Sequence, residues 1–338
     1  MRLIFMGTPA FAVPSLTRLV KEGHDVAAVV TRPDRPAGRG QRLRSSPVKQ
    51  VAEELCLPVI QPVTIRDPGV VEHLRRVQPE VIVVVAFGQI LPRAILEIPP
   101  KGCLNVHASL LPKYRGAAPI PWALIRGETV TGVTIMEVVE ALDAGPVLLQ
   151  RPVPIAPADT AGSLEERLAV LGAEALVETL RALERGEVPR TPQDDAEATY
   201  APKLPPDLGR LDWTQSAVDL WNVVRGLAPQ PGAYTFFQGR LVRVLGAEPF
   251  DGEQRRTVPS DRRAAAGIVV AIRRGAGIEV ATGRGMLLLT LLQPEGKRVM
   301  SAEEFSRGYR VEVGSVFVSD RRQSTTARPG DSRPGGAG

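Results

Sequence analysis

The chain has 338 residues, of which 43% are hydrophobic and 23% charged, and its formal net charge is +5 at pH 7. This composition is typical of a globular protein, and the length favours two domains. No apolar run approaches the roughly 20 residues that cross a bilayer, so we expect no membrane span. Prolines and a glycine interrupt the apolar start of the chain, which argues against an export signal and favours a cytoplasmic protein.

The first half of the chain alternates strand-like and helix-like segments, with strands at RLIFMG, DVAAVVT, LPVIQ and EVIVVVAFG. Two helix starts are well marked, because Ser46 and Asp67 each precede a proline whose fixed φ suits the first helical turn. VIVVVAF is apolar on both faces, as in a central strand covered by helices, and we expect CLNVH to lie beside it. The alternation predicts an α/β, Rossmann-like domain with a mainly parallel sheet over residues 1–188.

Two further strands, joined by EALDAG, precede a long amphipathic helix, for which Ser163 and Glu166 form a predicted capping box. The polar, proline-rich stretch 189–209 has the composition of a linker. Short strands and glycine-containing turns over 210–318 predict a small antiparallel, OB-like β-barrel. Residues 319–338 have almost nothing to bury and are expected to be disordered.

The strand CLNVH carries the first candidate functional residues. Side chains alternate across a strand, so Cys103, Asn105 and His107 share one face, and His107 should open into the ligand crevice of a doubly wound sheet. A buried, satisfied Asn–His pair is the alternative interpretation. Asp143, in EALDAG, is either a solvated turn residue or a carboxylate that orients His107 and stabilises its charged form.

Other common kinds of site receive little support from the sequence. Cys103 is a candidate nucleophile by position, but a thiol deep in an apolar strand is more often a packing group. The two cysteines, Cys56 and Cys103, lie far apart without metal-ligand spacing, which argues against a disulfide framework and a metal site. The glycine motifs of dinucleotide and P-loop sites are absent from the sequence.

Residues 31–49 concentrate positive charge, with six basic residues against one acidic residue, Asp34. Glycines and prolines make this segment a candidate mobile arm, suited to phosphate contacts more than to reading a base sequence. A solvated surface loop is the alternative interpretation. The six basic residues are Arg32, Arg35, Arg39, Arg42, Arg44 and Lys49.

Longer motifs make the chain similar to the folate-dependent formyltransferase family. NVHASLLPKYRGAAPI with the later ALDAG resembles that family's active site, and FMGTPAFA, TRPDRPAGRGQRLRSSPVK, YAPKL and QPEGKRVMSAEEFSRGY extend the resemblance over nearly the whole chain. The arginine-rich and C-terminal motifs are typical of members that formylate methionyl initiator tRNA. Around Asp143, four residues depart from the family's pattern: Val139, Ala141, Ala144 and Pro146.

The resemblance implies transfer of a formyl group from 10-formyltetrahydrofolate to the α-amino group of methionyl initiator tRNA, without a metal. It implies that Asn105, His107 and Asp143 are the catalytic set, with Asn105 and His107 stabilising the oxyanion formed by direct amine attack. It assigns folate contacts to the turn after the strand, formed by Ser109, Leu110, Leu111 and Pro112. It also assigns tRNA contacts to the basic arm and the C-terminal barrel, and we expect the chain to act as a monomer.

Three other functions share parts of this pattern. A formyltransferase for a small molecule, such as glycinamide ribotide or an amino sugar, would use the same Asn, His and Asp but would not need the second domain. A non-catalytic RNA-binding protein would bind RNA without transferring a formyl group. A hydrolase would release formate from the folate.

Overall fold

The computed structural model describes residues 1–37, 42–250 and 266–321, and the chain divides into two compact units. The first unit comprises Met1–Ala123, Glu128–Asp159 and Ser163–Lys203. The second comprises Leu124–Gly127, Thr160–Gly162 and the described residues from Leu204 onward. The predicted linker is therefore divided between the units, with its residues up to Lys203 in the first. Within the described ranges, no helix has both the length and the apolar character needed to span a bilayer.

The strands of the first unit are β1 (Arg2–Gly7), β2 (Asp25–Val30), β3 (Arg35–Ala37), β4 (Arg42–Arg44), β5 (Val59–Ile60), β6 (Val81–Val85), β7 (Cys103–His107), β8 (Val130–Glu137) and β9 (Val147–Pro154). Seven of them form one sheet in the order β5-β2-β1-β6-β7-β8-β9. Neighbouring strands are parallel from β5 to β7, whereas β8 is antiparallel to both β7 and β9. The predicted mainly parallel sheet, with VIVVVAF at its centre and CLNVH beside it, is confirmed.

The helices up to residue 185 are α1 (Val13–Lys21), α2 (Pro47–Glu54), α3 (Pro68–Arg76), α4 (Arg93–Leu96), α5 (Pro119–Ile125) and α6 (Ala161–Arg185). Both predicted N-caps are confirmed, because the side chains of Ser46 and Asp67 accept backbone N–H groups at the starts of α2 and α3. The predicted capping box is wrong. Helix α6 begins at Ala161, so Ser163 lies inside its first turn, and its hydroxyl donates to Asp159 at 3.3 Å.

The second unit contains α7 (Ala217–Leu227), β10 (Ala233–Phe237), β11 (Arg240–Phe250), β12 (Val269–Arg273), β13 (Gly277–Ala281), β14 (Met286–Pro294), β15 (Met300–Ser301), α8 (Ala302–Gly308) and β16 (Phe317–Val318). The antiparallel sheet has the order β12-β13-β14-β11-β10-β16, with β15 beside β14. A bridge between Ile268 and Val316, just before β12 and β16, joins the ends of the sheet. The predicted antiparallel barrel is confirmed, and residues 322–338 of the predicted disordered tail lie outside the described residues.

Candidate active site

Asn105 lies in the middle of β7, between two neighbouring strands of the sheet. Its backbone is paired with Val84 of β6 and Met136 of β8, which fixes the direction of its side chain. The residue is half-buried, and its side-chain amide forms no hydrogen bond with any part of the chain that the structure describes. The two N–H donors of this amide are therefore available to a ligand.

His107 ends the same strand, and it is 6% exposed. Its Nε2 lies 2.9 Å from the carbonyl oxygen of Tyr114. Because a carbonyl can only accept, Nε2 carries a proton and donates it to this bond. The other ring nitrogen, Nδ1, lies 3.8 Å from Oδ2 of Asp143, just beyond the range of a direct hydrogen bond. The structure thus brings together the histidine and the carboxylate that the sequence pairs.

Asp143 occupies the connection between β8 and β9 and has a positive φ of 50°. Its Oδ2, which faces His107, also accepts the backbone N–H of Gly116 at 2.8 Å. A Cβ at Gly145 would overlap the carbonyl oxygen of Glu137, so only glycine fits there and the loop turns tightly against β8. Ala141, Ala144 and Pro146, which depart from the family pattern, are compatible with a loop that places Asp143 next to His107.

One short turn, Tyr114 to Gly116, contacts both of these ionisable side chains, through the Tyr114 carbonyl and the Gly116 N–H. A second segment holds this turn by backbone hydrogen bonds. Arg115 N donates to Thr199 O and Ala201 N donates to Arg115 O, both at 2.8 Å. Residues 199–201 were predicted to be linker, so sequence analysis missed their part in the site. The YAPKL motif was the available signal.

The predicted folate turn packs against β8 and β9. Ser109 is fully buried, and its hydroxyl donates to the Lys113 carbonyl at 2.6 Å, so this hydroxyl is used within the protein. Leu110 packs over Gly132 of β8, and the Leu111–Pro112 peptide bond is cis. Leu111 and Pro112 border a cleft of about 390 Å³, whose other wall includes residues 147–150 and 191–194. Apolar side chains therefore form the part of the turn that faces the cleft.

Residues 1–180 match the family model described as formyl transferase, and residues 203–310 match the formyl transferase C-terminal domain. The chain belongs to the formyl transferase family. Methionyl-tRNA formyltransferase of Moorella thermoacetica is 49% identical over 317 residues, which cover 94% of this chain and 99% of that protein. The methionyl-tRNA formyltransferase of Geobacter sulfurreducens is 47% identical over 315 residues, covering 93% and 96% respectively.

Two solved structures share the fold at lower sequence identity. HypX from Aquifex aeolicus, in complex with tetrahydrofolic acid, has a TM-score of 0.62 at 21% identity and covers 93% of this chain. The chain spans 48% of HypX. An N-formyltransferase from Helicobacter canadensis, in complex with folinic acid and dTDP-3-aminofucose, has a TM-score of 0.64 at 16% identity, covering 86% of this chain and 98% of that one.

The structure places Cys103, the candidate nucleophile, in the core of the first unit. Cys103 is 2% exposed, and its thiol faces the carbonyl of Ile95 in the core. Burial raises the pKa of the Cys103 thiol to about 12, so it is not a thiolate near neutral pH. Among the described residues, no three His, Cys, Asp or Glu side chains are grouped to hold a metal ion.

The basic arm contains two exposed arginines that oppose each other. Arg35 of β3 and Arg44 of β4 are directly paired across the hairpin. Like charges directly opposite each other on paired strands are destabilising, and a bound anion would relieve the repulsion. Arg39 and the side chain of Arg42 lie outside the described residues.

Of the other two basic residues of the arm, Arg32 contacts the body of the first unit and Lys49 pairs within the arm. Arg32 donates to the carbonyl oxygen of Gly88, beyond the end of β6. Lys49 Nζ lies 2.7 Å from Asp34 Oδ2, and this hydrogen bond raises the pKa of Lys49 and lowers the pKa of Asp34. Arg32 therefore ties the arm to the body of the unit, and the Lys49–Asp34 pair joins the two ends of the arm.

Proposed function

We propose that the chain is a methionyl-tRNA formyltransferase, which transfers the formyl group of 10-formyltetrahydrofolate to the α-amino group of methionyl initiator tRNA. The observation that carries the proposal is the approach of Asp143 to His107, on the strand that also carries Asn105 two residues earlier. Relatives of that name are similar across both units, which supports this acceptor. The product serves translation initiation, which places the proposed enzyme in the cytoplasm.

The proposed reaction is a direct attack of the amine on the formyl carbon. A peptide α-amino group titrates near 7.7–8.0, and the aminoacyl ester should lie around or below this range, so strong base activation is unnecessary. The bond from the acceptor nitrogen to the formyl carbon forms first and gives a tetrahedral oxyanion, and the bond from that carbon to N10 of the folate then breaks as the carbonyl re-forms. One proton leaves the acceptor nitrogen and one reaches N10. The protein must therefore align two substrates and stabilise the oxyanion between them.

Asn105 and His107 support this oxyanion in different ways. The Asn105 amide has donors without a protein partner among the described residues, so we assign it the direct hydrogen bond to the oxyanion. His107 already uses Nε2 for the Tyr114 carbonyl, so it acts from the Nδ1 side, which faces Asp143. There the Asp143 carboxylate orients the imidazole, to which we assign the second part of the stabilisation of the oxyanion.

The residues around the site fit a folate donor. Folate joins a flat ring system to an apolar benzoyl group, and Leu111 and Pro112 offer apolar contacts at the cleft. The loop that carries Asp143 also exposes two apolar side chains, Val139 (38%) and Leu142 (57%). Apolar walls with a few polar groups are typical of small-molecule sites. When bound, the folate would supply the formyl group, and these side chains would orient it toward Asn105.

Charge on the arm supports a tRNA acceptor. We expect Arg44→Ala to flatten the dependence of log affinity for tRNA on log salt concentration by roughly 0.7–0.9, the effect of losing one phosphate contact. Arg75→Ala, which removes an exposed arginine paired with Glu72 on α3, is the control and should leave the slope unchanged. An unchanged slope in Arg44→Ala and Arg35→Ala alike would mean that the exposed arm arginines make no phosphate contact.

We also expect Cys103→Ser to keep most formyl transfer activity, because the thiol faces the core and its raised pKa prevents nucleophilic attack. The measurement is the single-turnover rate, with the far-ultraviolet circular dichroism spectrum as a check of the fold. Complete loss of transfer by a folded variant would restore Cys103 as a candidate nucleophile.

The proposed function is tested by incubating the purified chain with 10-formyltetrahydrofolate labelled in the formyl group and with methionyl initiator tRNA. We expect label on the methionyl amino group. Release of labelled formate alone would indicate a hydrolase, and transfer only to an amino sugar nucleotide or glycinamide ribotide would indicate a small-molecule formyltransferase. Binding of tRNA without any transfer would indicate an RNA-binding protein.

A further inference from the structure

Gln193 lies in the stretch predicted as linker, yet its side chain reaches the loop that carries Asp143. Its Nε2 donates to the backbone carbonyls of Asp143 at 2.8 Å and Gly145 at 2.7 Å. A side-chain amide has two N–H donors, and this one uses both. Gln193 therefore fixes the backbone on either side of a single residue, Ala144.

A buried arginine determines which way the Gln193 amide points. Arg115 is 4% exposed, and its Nε and Nη2 donate to Gln193 Oε1 at 3.1 and 2.9 Å. Its Nη2 also donates to Asp195 at 2.7 Å. Because the guanidinium can only donate, it holds the amide oxygen and leaves the NH₂ group facing the loop. Hydrogen bonds to a charged donor are shorter and stronger than neutral ones, so this orientation is well defined.

The loop needs such support because the backbone of Asp143 has a positive φ. Asp143 has a φ of 50°, in the left-handed region, which aspartate tolerates better than most residues but which is less favourable than the ordinary helical and extended regions. The neighbouring Leu142 is 57% exposed, so apolar packing does little to hold this part of the loop. Hydrogen bonds from Gln193, and from Gly116 to the carboxylate, remain to set the position of Asp143.

We infer that Gln193, oriented by Arg115, is a positioning residue that sets the distance and angle between the Asp143 carboxylate and His107. It acts through the loop backbone and does not contact the reacting atoms. This inference rests on the proposed function, since its effect is read in formyl transfer. Gln193 also borders the cleft beside Leu111, so a role in substrate binding is the competing explanation.

The test compares Gln193→Glu with Gln193→Ala in steady-state formyl transfer over a range of pH. Glutamate keeps the volume and an acceptor for Arg115 but cannot donate to the two loop carbonyls. We expect both variants to lower kcat roughly 10- to 100-fold, the usual effect of a misplaced catalytic group, and to alter the pH profile of kcat, with KM for both substrates nearly unchanged. Gln78→Glu makes the same substitution at an exposed site and should match the parent.

Any other result for the Gln193 variants would argue against a positioning role. A parental kcat and pH profile in Gln193→Glu would overturn the inference, and a lower melting temperature with unchanged kcat would show a purely structural role. A raised KM with unchanged kcat would show that Gln193 binds substrate. If the parent chain itself transfers no formyl group to methionyl-tRNA, the proposed function fails and the inference falls with it. If the parent transfers the formyl group and the Gln193 variants do so with the same kcat and pH profile, the inference is overturned and the proposed function stands.

Discussion

Asn105→Ala is expected to lower the single-turnover rate of formyl transfer by about 10²–10³, the effect of removing one oxyanion donor. The amide has no hydrogen-bond partner within the described chain, so its removal leaves no protein group unsatisfied. The backbone of Asn105 keeps its pairing with Val84 and Met136, so the strand should stay in place. The rate is measured with both substrates saturating, which removes the contribution of binding.

Asn105→Asp serves as a second variant, because a carboxylate of the same size can accept but not donate when ionised. We expect it to be at least as slow as Asn105→Ala, since it also places a negative charge beside the oxyanion. The affinity for tRNA should stay close to that of the parent in both variants. A parental rate in Asn105→Ala would mean that another group donates to the oxyanion.

Asp143→Asn is expected to lower the rate by a similar factor, because it removes the negative charge that faces His107 at 3.8 Å. The amide oxygen of asparagine can still accept the Gly116 N–H, so the substitution tests the charge and spares that hydrogen bond. The pH profile of kcat should change as well, because the group that faces the imidazole no longer carries a charge.

The control is Asp67→Asn, the same chemical change at the N-cap of α3, where asparagine caps about as well as aspartate. It should keep the parental rate and pH profile. If Asp143→Asn also kept both, the carboxylate would have no part in the chemistry, and His107 would be oriented by the Tyr114 carbonyl alone.

Much of the site could be predicted because its residues sit in regular patterns. The period of two in CLNVH placed Asn105 and His107 on one face, and parallel-sheet topology placed the end of β7 at the crevice. Asp143 was a candidate only as a partner of His107, and the motif resemblance then supported it, since an aspartate in a connection is otherwise an ordinary turn residue. The central place of VIVVVAF in the sheet followed from its continuous run of apolar residues.

The supporting contacts could not be predicted from residue types. Residues 199–201 pair with the turn at 114–116 through backbone atoms, which leave no apolar period in the sequence. Gln193 donates to the backbone carbonyls of residues 143 and 145, and because every residue has a backbone carbonyl, the residue types there do not reveal the contact. Composition also could not show that Arg32 contacts Gly88 and Lys49 pairs with Asp34 while Arg35 and Arg44 stay exposed, because that depends on where the folded chain places Gly88 and Asp34.

The most direct test of the central claim, that the polar face of β7 performs formyl transfer, is the single-turnover rate of the double variant Asn105→Ala/His107→Ala. We expect the double variant to fold, to keep its affinity for tRNA and to lose at least about 10²–10³ in rate. The loss in rate should be smaller than the product of the losses in the two single variants, because both residues act on one oxyanion. A folded double variant that transfers the formyl group at the parental rate would contradict the account and place the chemistry elsewhere.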